Sequence, residues 1–357
     1  MKRKGLAILA SVLILALLAA CTTVAASAPT NAIQVALPPP ATTPVSEPPT
    51  DQPHGAVAMR HIEFMNDHLP ARTAFSYREL ETALWIIQQL LAMGYTWEDI
   101  QVQEFGWPDV YQWAWRGWEQ MQAEGFFRYS SRRQGDLSQN IILTVPGRSE
   151  QVIVVGAHYD SFPYPGAADN ASGTALLLES AHRMMAHDNY HTIVYVFFGA
   201  EEVGLLGAEY YIRSLTDEQR ERIILVVNAD ALFEGPYLLY ATGQGESREQ
   251  GAQANDVSRR VDAIAYQFTY QFDIPLTPVP QGIFWYTDHL PFVRAGHTVL
   301  VLAGLDSVRD YSLYRPEGLM HTPRDCLHYI NAARPGMAEF AMWTYSVFLE
   351  RILLSGF

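Results

Sequence analysis

The sequence predicts an α/β protein, a three-layer α/β/α sandwich with a mostly parallel mixed central sheet. Two observations predict it. The first is a series of short, β-branched apolar runs bounded by turn residues: Ile141-Ile142-Leu143-Thr144-Val145, Val152-Ile153-Val154-Val155, Ile193-Val194-Tyr195-Val196-Phe197-Phe198, Ile223-Ile224-Leu225-Val226-Val227 and Thr298-Val299-Leu300-Val301-Leu302. Strands that read as continuous apolar runs are those buried on both faces of a sheet. The second is the helical stretches that alternate with them, at about 172–187, 204–214, 255–271 and 332–352. Strands alternating with helices build a largely parallel sheet covered on both sides. A further helix is expected over 76–93, where Leu80, Leu84, Ile87 and Leu91 recur at helical spacing and Gly94 supplies the stop.

The 357 residues are 49% hydrophobic, enough to bury a sizeable core, and the formal charge of −14 offers no basic surface for nucleic acid. The start of the chain is a different device. Lys2, Arg3 and Lys4 precede an apolar run, Gly5 to Ala20, too short to span a bilayer and followed by a polar stretch. The run ends Leu18-Ala19-Ala20-Cys21, which resembles a bacterial lipoprotein signal. The expected organisation is a signal peptide over 1–21, a Pro/Ala/Thr-rich tether over 22–56 and one domain over 57–357. A lipid on Cys21 would then hold the domain outside the cytoplasm on a bacterial membrane, each buried CH₂ adding about 0.8 kcal/mol. The alternative is a plain cleaved signal or a signal anchor. With Cys21 lipidated, Cys326 has no partner, so neither a disulfide nor a four-cysteine zinc site is available.

Between about 105 and 128 lies an aromatic stretch containing Trp107, Tyr111, Trp113, Trp115, Trp118, Phe126 and Phe127. It reads equally as extra core and as a lid over a pocket.

In open α/β sheets ligands bind beyond the carboxyl ends of the strands. Here the residues that follow three apolar runs are Gly156-Ala157-His158-Tyr159-Asp160, Gly199-Ala200-Glu201-Glu202 and Asn228-Ala229-Asp230. Buried carboxylates are costly unless paired or bound to metal. An imidazole–carboxylate set without thiolate suits catalytic zinc, and also manganese or cobalt. Each piece has a plainer reading. His158 could be a core histidine, Asp169-Asn170 a turn or cap, Glu201-Glu202 a helix N-terminus, and Asp230 a cap.

Five segments in order carry a more specific likeness. They are Gly156–Ser161, Gly166-Ala167-Ala168-Asp169-Asn170-Ala171-Ser172-Gly173, Gly199–Gly207, Asn228-Ala229-Asp230 and His321-Thr322-Pro323-Arg324-Asp325. Together they resemble the metal-site motifs of the M28 family of co-catalytic metallopeptidases, over about residues 57–357, which implies the zinc-dependent exopeptidase fold. The resemblance implies two zinc ions. His158 and Asp230 would bind one, Glu202 and His321 the other, and Asp169 would bridge them. Glu201 would act as general base on a metal-bound hydroxide, and Asp160 would orient His158. Peptides would be the substrates and aminopeptidase hydrolysis the reaction. Some relatives stabilise the oxyanion with a tyrosine, for which Tyr286 is the nearest candidate and Phe284 an alternative position. Asp288, in Thr287-Asp288-His289-Leu290-Pro291-Phe292, is expected to form a structural ion pair or to meet the substrate amine. A glutaminyl cyclase-like acyltransferase and a non-catalytic binding protein are the competing readings. No zincin helix, nucleophile elbow or phosphate loop is present in the sequence.

Overall fold

The computed structural model describes residues 51–114, 133, 135–245, 254–279, 286–306 and 318–357. The signal segment, most of the 22–56 stretch, and Trp115, Trp118, Phe126, Phe127 and Phe284 lie outside the described residues.

Eight strands form one sheet: β1 (Ile100–Gly106), β2 (Leu137–Val145), β3 (Ser149–His158), β4 (His191–Phe198), β5 (Ile223–Ala229), β6 (Tyr237–Gln244), β7 (Thr277–Pro278) and β8 (Thr298–Leu305), in spatial order β1-β2-β4-β3-β5-β8-β6-β7. The central pairs β4–β3, β3–β5 and β5–β8 are parallel, as is β6–β7 at one edge, whereas β1–β2, β2–β4 and β6–β8 are antiparallel. The sheet is mixed and mostly parallel, as the apolar runs imply.

The strand side chains explain the three layers. On β3, Ile153, Val155 and Ala157 join one apolar cluster and Val154 joins another. On β4, Tyr195 and Phe197 face the first cluster, Val196 and Phe198 the second. On β8, Leu300 and Leu302 alternate with Val299 and Val301 in the same way. A period of two that is apolar on both phases demands cover on both faces. Fully burying one such side chain stabilises the fold by about 1.5–3 kcal/mol.

On one face lie α1 (Ala56–His68), α2 (Tyr77–Met93), α4 (Ser172–Met184), α7 (Asp256–Phe272) and α10 (Met337–Leu354). On the other lie α5 (Leu206–Ser214), through Tyr211 and Ile212, and α8 (Leu290–Arg294), through Phe292 and Val293. The short α3 (Trp107–Val110), α6 (Asp217–Arg222) and α9 (Leu327–Ala333) complete the described helices. Tyr345 of α10 is fully buried, and its hydroxyl donates to Ala303 O at 2.6 Å and accepts from Leu239 N at 2.9 Å, so the helix is pinned to β8 and β6.

Three expectations shift. The stretch 332–352 is two helices, because Pro335 disfavours a helical Arg334 (φ −144°) and Gly336 takes a left-handed φ of 78° before α10 begins. The helix expected from 204 starts at Leu206, after Gly204 and Leu205 with positive φ. The edge strand β1, not expected from the sequence, ends at Gly106 where the aromatic residues begin. Its Phe105, with Trp107, Val110 and Trp113, packs in a satellite cluster beside Phe75, Ala200, Val203 and Leu206. Arg213 lies over the Trp113 ring at 4.7 Å.

Candidate metal centre

The order β4-β3-β5 places three parallel carboxyl ends side by side. His158 is the last residue of β3, Glu201 and Glu202 follow β4 by a short loop, and Asp230 follows Ala229 at the end of β5. The bridge expected at Asp169 comes from the turn Ala167–Ala171 that leads into α4. Asn170 fastens this turn to β5. Its Nδ2 donates to Ala229 O at 2.9 Å, and its Oδ1 accepts from Gly173 N at 2.8 Å. Asn170 is therefore the cap of the plainer reading, and that cap is what presents Asp169. Gly173 makes the approach possible, since a Cβ there would stand 2.2 Å from Ala229 O.

The expected residues converge. His158 Nε2 lies 3.3 Å from Asp169 Oδ1 and 3.2 Å from Asp230 Oδ1, and Glu201 Oε2 is 4.0 Å away. His321 Nε2 lies 3.2 Å from Asp169 Oδ2 and 2.9 Å from Glu202 Oε2. Each oxygen of Asp169 thus faces a different histidine. Donor atoms of His158, Asp169 and Glu202 lie within 4.8 Å of one another, as do those of His158, Glu201 and Asp230. His158, Asp169, Glu201 and Glu202 are buried, whereas the Asp230 and His321 side chains retain 15% and 14% exposure. The centre opens to solvent on that side.

His158 Nδ1 is 3.2 Å from Asp160 O and 3.6 Å from Asp160 Oδ1. A proton on Nδ1 would go to the backbone carbonyl, which would leave Nε2 for a metal. The Asp160 carboxylate stands behind the ring but is committed elsewhere: it accepts from Glu201 N at 3.0 Å and Glu202 N at 3.2 Å. Asp160 thus ties the β3 end to the β4 loop. Tyr286 is 45% exposed. Among the described residues Asp288 forms no ion pair, and both of its oxygens are buried without a hydrogen-bond partner.

The charges show what the site lacks. Burial raises Glu201 well above the usual carboxylate range, with His158 opposing and Asp288 adding to the rise. Burial pushes Glu202 up to about 7 against the pull of His321. Asp288 is raised well above its ordinary value by burial, and Asp230 adds to this while His158 opposes. Burial disfavours charge on His321, yet Glu202 and Asp169 outweigh it and push the ring up to about 10. At Asp169 burial is outweighed by hydrogen bonds from His158 and His321, and its carboxyl is held well below the usual range. So many buried carboxylates around two imidazoles call for additional positive charge. The donor set, nitrogen and oxygen without sulfur, fits zinc.

Several residues outside the expected set build the centre. Arg72, fully buried, donates to Tyr159 O, Leu69 O, Pro165 O and Gly166 O at 2.6–3.2 Å, and so fixes the loop between His158 and Asp169. Asp325 accepts from Ala168 N at 2.6 Å and Asp169 N at 3.0 Å. Thr287 donates to Asp230 Oδ2 at 2.5 Å and accepts from Asn228 Nδ2 at 3.1 Å. Phe162 stacks on His321 with centroids 3.7 Å apart, and its N–H donates to Glu202 Oε1. Glu79 accepts from Ser138 Oγ at 2.7 Å and Ala200 N at 3.0 Å, holding the residue before Glu201. Only Glu79 left a local signal, the capping-box pattern Ser76-Tyr77-Arg78-Glu79. Even there the carboxylate accepts from Phe75 N, one residue before the cap.

Known proteins resemble this chain at two levels. By fold, it superposes with a TM-score of 0.63 on a zinc aminopeptidase from Bacillus subtilis, at 18% identity over 83% of this chain and 94% of that one. It superposes at 0.59 on a Tannerella forsythia glutaminyl cyclase, at 17% identity over 84% of this chain and 98% of that one. By sequence, it is 31% identical over 209 residues to aminopeptidase YwaD of Bacillus subtilis (strain 168), covering 55% of this chain and 41% of that protein. The chain spans about half the length of the curated relatives it matches. The model of peptidase family M28 matches residues 140–346, which include every strand end and loop of the centre, and this chain belongs to that family.

Proposed function

We propose that the chain is a two-zinc aminopeptidase that removes residues from the N-termini of peptides. The observation that carries this reading is Asp169, whose Oδ1 and Oδ2 face His158 and His321 at 3.3 and 3.2 Å. His158 and Asp230 would hold one ion, Glu202 and His321 the other, with Asp169 shared. When bound, the ions supply Lewis acidity and bring the pKa of a coordinated water down to about 7. Manganese or cobalt suits the same donors.

Glu201 is the proton carrier. It takes the proton of the attacking water and returns it to the leaving amine. Its backbone N–H is held by Asp160 and its side chain is buried on the His158 side. Burial favours the protonated form it must adopt midway. Tyr286 stands before Thr287 at the exposed margin and is assigned to the developing oxyanion, a role that rests on its place in the sequence. The aminopeptidase assignment is supported by the likeness to aminopeptidase YwaD and to the Bacillus subtilis zinc aminopeptidase. The basic start, apolar run and Leu18-Ala19-Ala20-Cys21 support lipid anchoring outside the cytoplasm of a bacterium.

The deciding experiment is metal analysis of the purified chain, combined with a panel of aminoacyl reporters, N-terminal glutamine peptides and a chelator control. Two equivalents of zinc and chelator-sensitive release of N-terminal residues are expected. Cyclisation of glutamine peptides without hydrolysis of the reporters would establish the acyltransferase instead. A chain that binds no metal and turns over nothing would end both.

A further inference from the structure

Glu234 lies four residues beyond Asp230, in the loop between β5 and β6, and the chemistry above does not use it. Its surroundings fix it firmly. Gly235 packs so closely on the end of β8 that a Cβ there would meet the Leu305 backbone at 2.1 Å, and Gly304 N donates to Ala231 O at 3.0 Å. Arg334 Nη1 donates to the Glu234 carbonyl at 3.2 Å. From this anchored loop the buried carboxylate reaches across to the segment before His321, where Oε1 accepts from Leu319 N at 2.8 Å and Met320 N at 3.1 Å. The next residue, His321, has a φ of 58°, a left-handed conformation that an L-residue adopts only when its surroundings impose it. Oε2 is buried and has no hydrogen-bond partner, so the carboxylate is held by its contacts to that one segment.

We infer that Glu234 is the positioning residue for His321: by seating two consecutive backbone N–H groups on the Asp230 loop, it sets the left-handed turn that aims the imidazole at Glu202 and Asp169. This rests on the two-ion reading of the centre. Asp325 holds the same loop from its far side through Ala168 N and Asp169 N. The His321 segment is thus clamped between the β5 loop and the turn that carries the shared carboxylate. Loss of Glu234 frees the near end only, so the defect falls on the Glu202–His321 ion and spares the His158–Asp230 ion. Burial pushes the Glu234 carboxyl up to about 7, with the Met320 and Leu319 N–H groups opposing, and Oε1 accepts in either protonation state.

The test separates reach from charge. E234Q keeps the length and one acceptor, E234D keeps the charge but shortens the reach by one carbon, and E234L removes both acceptors. Zinc affinity of the full chain is read for each by competition with a chromophoric chelator, and folding is followed by circular dichroism. Wild type is expected to bind two equivalents. In E234D and E234L one of the two equivalents should lose about ten- to a hundredfold in affinity, the usual effect of removing a partner that orients a ligand. The other equivalent should stay within about threefold, and E234Q should match wild type. If E234L does not fold, the Asp–Gln pair decides. Equal weakening of both ions, E234Q behaving like E234D, or no change in a folded E234D or E234L would overturn the assignment. A wild-type chain that binds fewer than two ions would instead indict the two-ion reading itself.

Discussion

At the scale of single residues, the proposed function gives neighbouring carboxylates different roles, and their environments differ. Glu201 and Glu202 are adjacent and both buried, yet Glu202 lies 2.9 Å from His321 whereas Glu201 stands 4.0 Å from His158 Nε2. The first pair is in direct contact and the second is not. Glu201→Gln should therefore lower aminopeptidase turnover by about 10²–10⁴-fold, the usual weight of general acid–base catalysis, with zinc content unchanged. Turnover at the wild-type rate, measured beside metal content, would remove Glu201 from the mechanism. His158, Glu201, Glu202 and Asp230 were nominated by strand-end position and residue type, whereas Asp169 and His321, in a turn and a loop, were nominated only by the resemblance of their segments to family motifs. Arg72 and Asp325 were not nominated for any role, since both act by holding backbone groups distant in sequence.

At the scale of elements, the approach of α4 to β5 sets how near Asp169 comes to Asp230. In an open helix, replacing Gly173 by Ala would gain about 1 kcal/mol of helix propensity. Here the added methyl meets Ala229 O at 2.2 Å and Asn170 Oδ1 at 2.6 Å, a backbone atom and the atom that caps the helix. Overpacking costs about 1–3 kcal/mol, so it wins. Gly173→Ala should lower the melting temperature and weaken zinc binding together. A gain in melting temperature with intact zinc affinity would show that the helix can slide without loss. The glycine was visible as a small residue beside Asp169. The atom it makes room for was not, because Ala229 arrives from another element. The split between α9 and α10 was in principle readable from Pro335-Gly336, whereas β1 was obscured by the aromatic residues that follow it and by alternating polar positions such as Gln101 and Gln103.

For the whole molecule, the centre sets how stability responds to pH. Glu202 is raised to about 7 in the folded chain from an ordinary 4.5, so in the metal-free protein its favourable contribution is complete below about 4.5 and is lost as pH rises through 7. His321, raised to about 10 from 6.5, contributes fully below about 6.5 and is lost as pH rises towards 10. Glu201 and Asp288 are raised as well and act in the same direction. Buried His61 and His289, lowered to about 3 by burial, act in the opposite direction below about pH 6.5, so the metal-stripped protein should melt at progressively lower temperature from pH 7 to pH 9. Added zinc should restore stability most at the alkaline end, where its ligands are deprotonated. A melting temperature that rises over this range without metal would contradict the repulsion described here. By itself the sequence determined the layered α/β class and nominated the residues that converge at the centre, since continuous apolar runs, strand ends, motifs and residue chemistry are local properties of a chain. Only the tertiary structure decided the distances and the supports. The two-faced reach of Asp169, the Asn170 tie to β5, the Arg72 clamp and the Glu234 hold on residues 319 and 320 are each made between segments that meet only when the sheet is assembled.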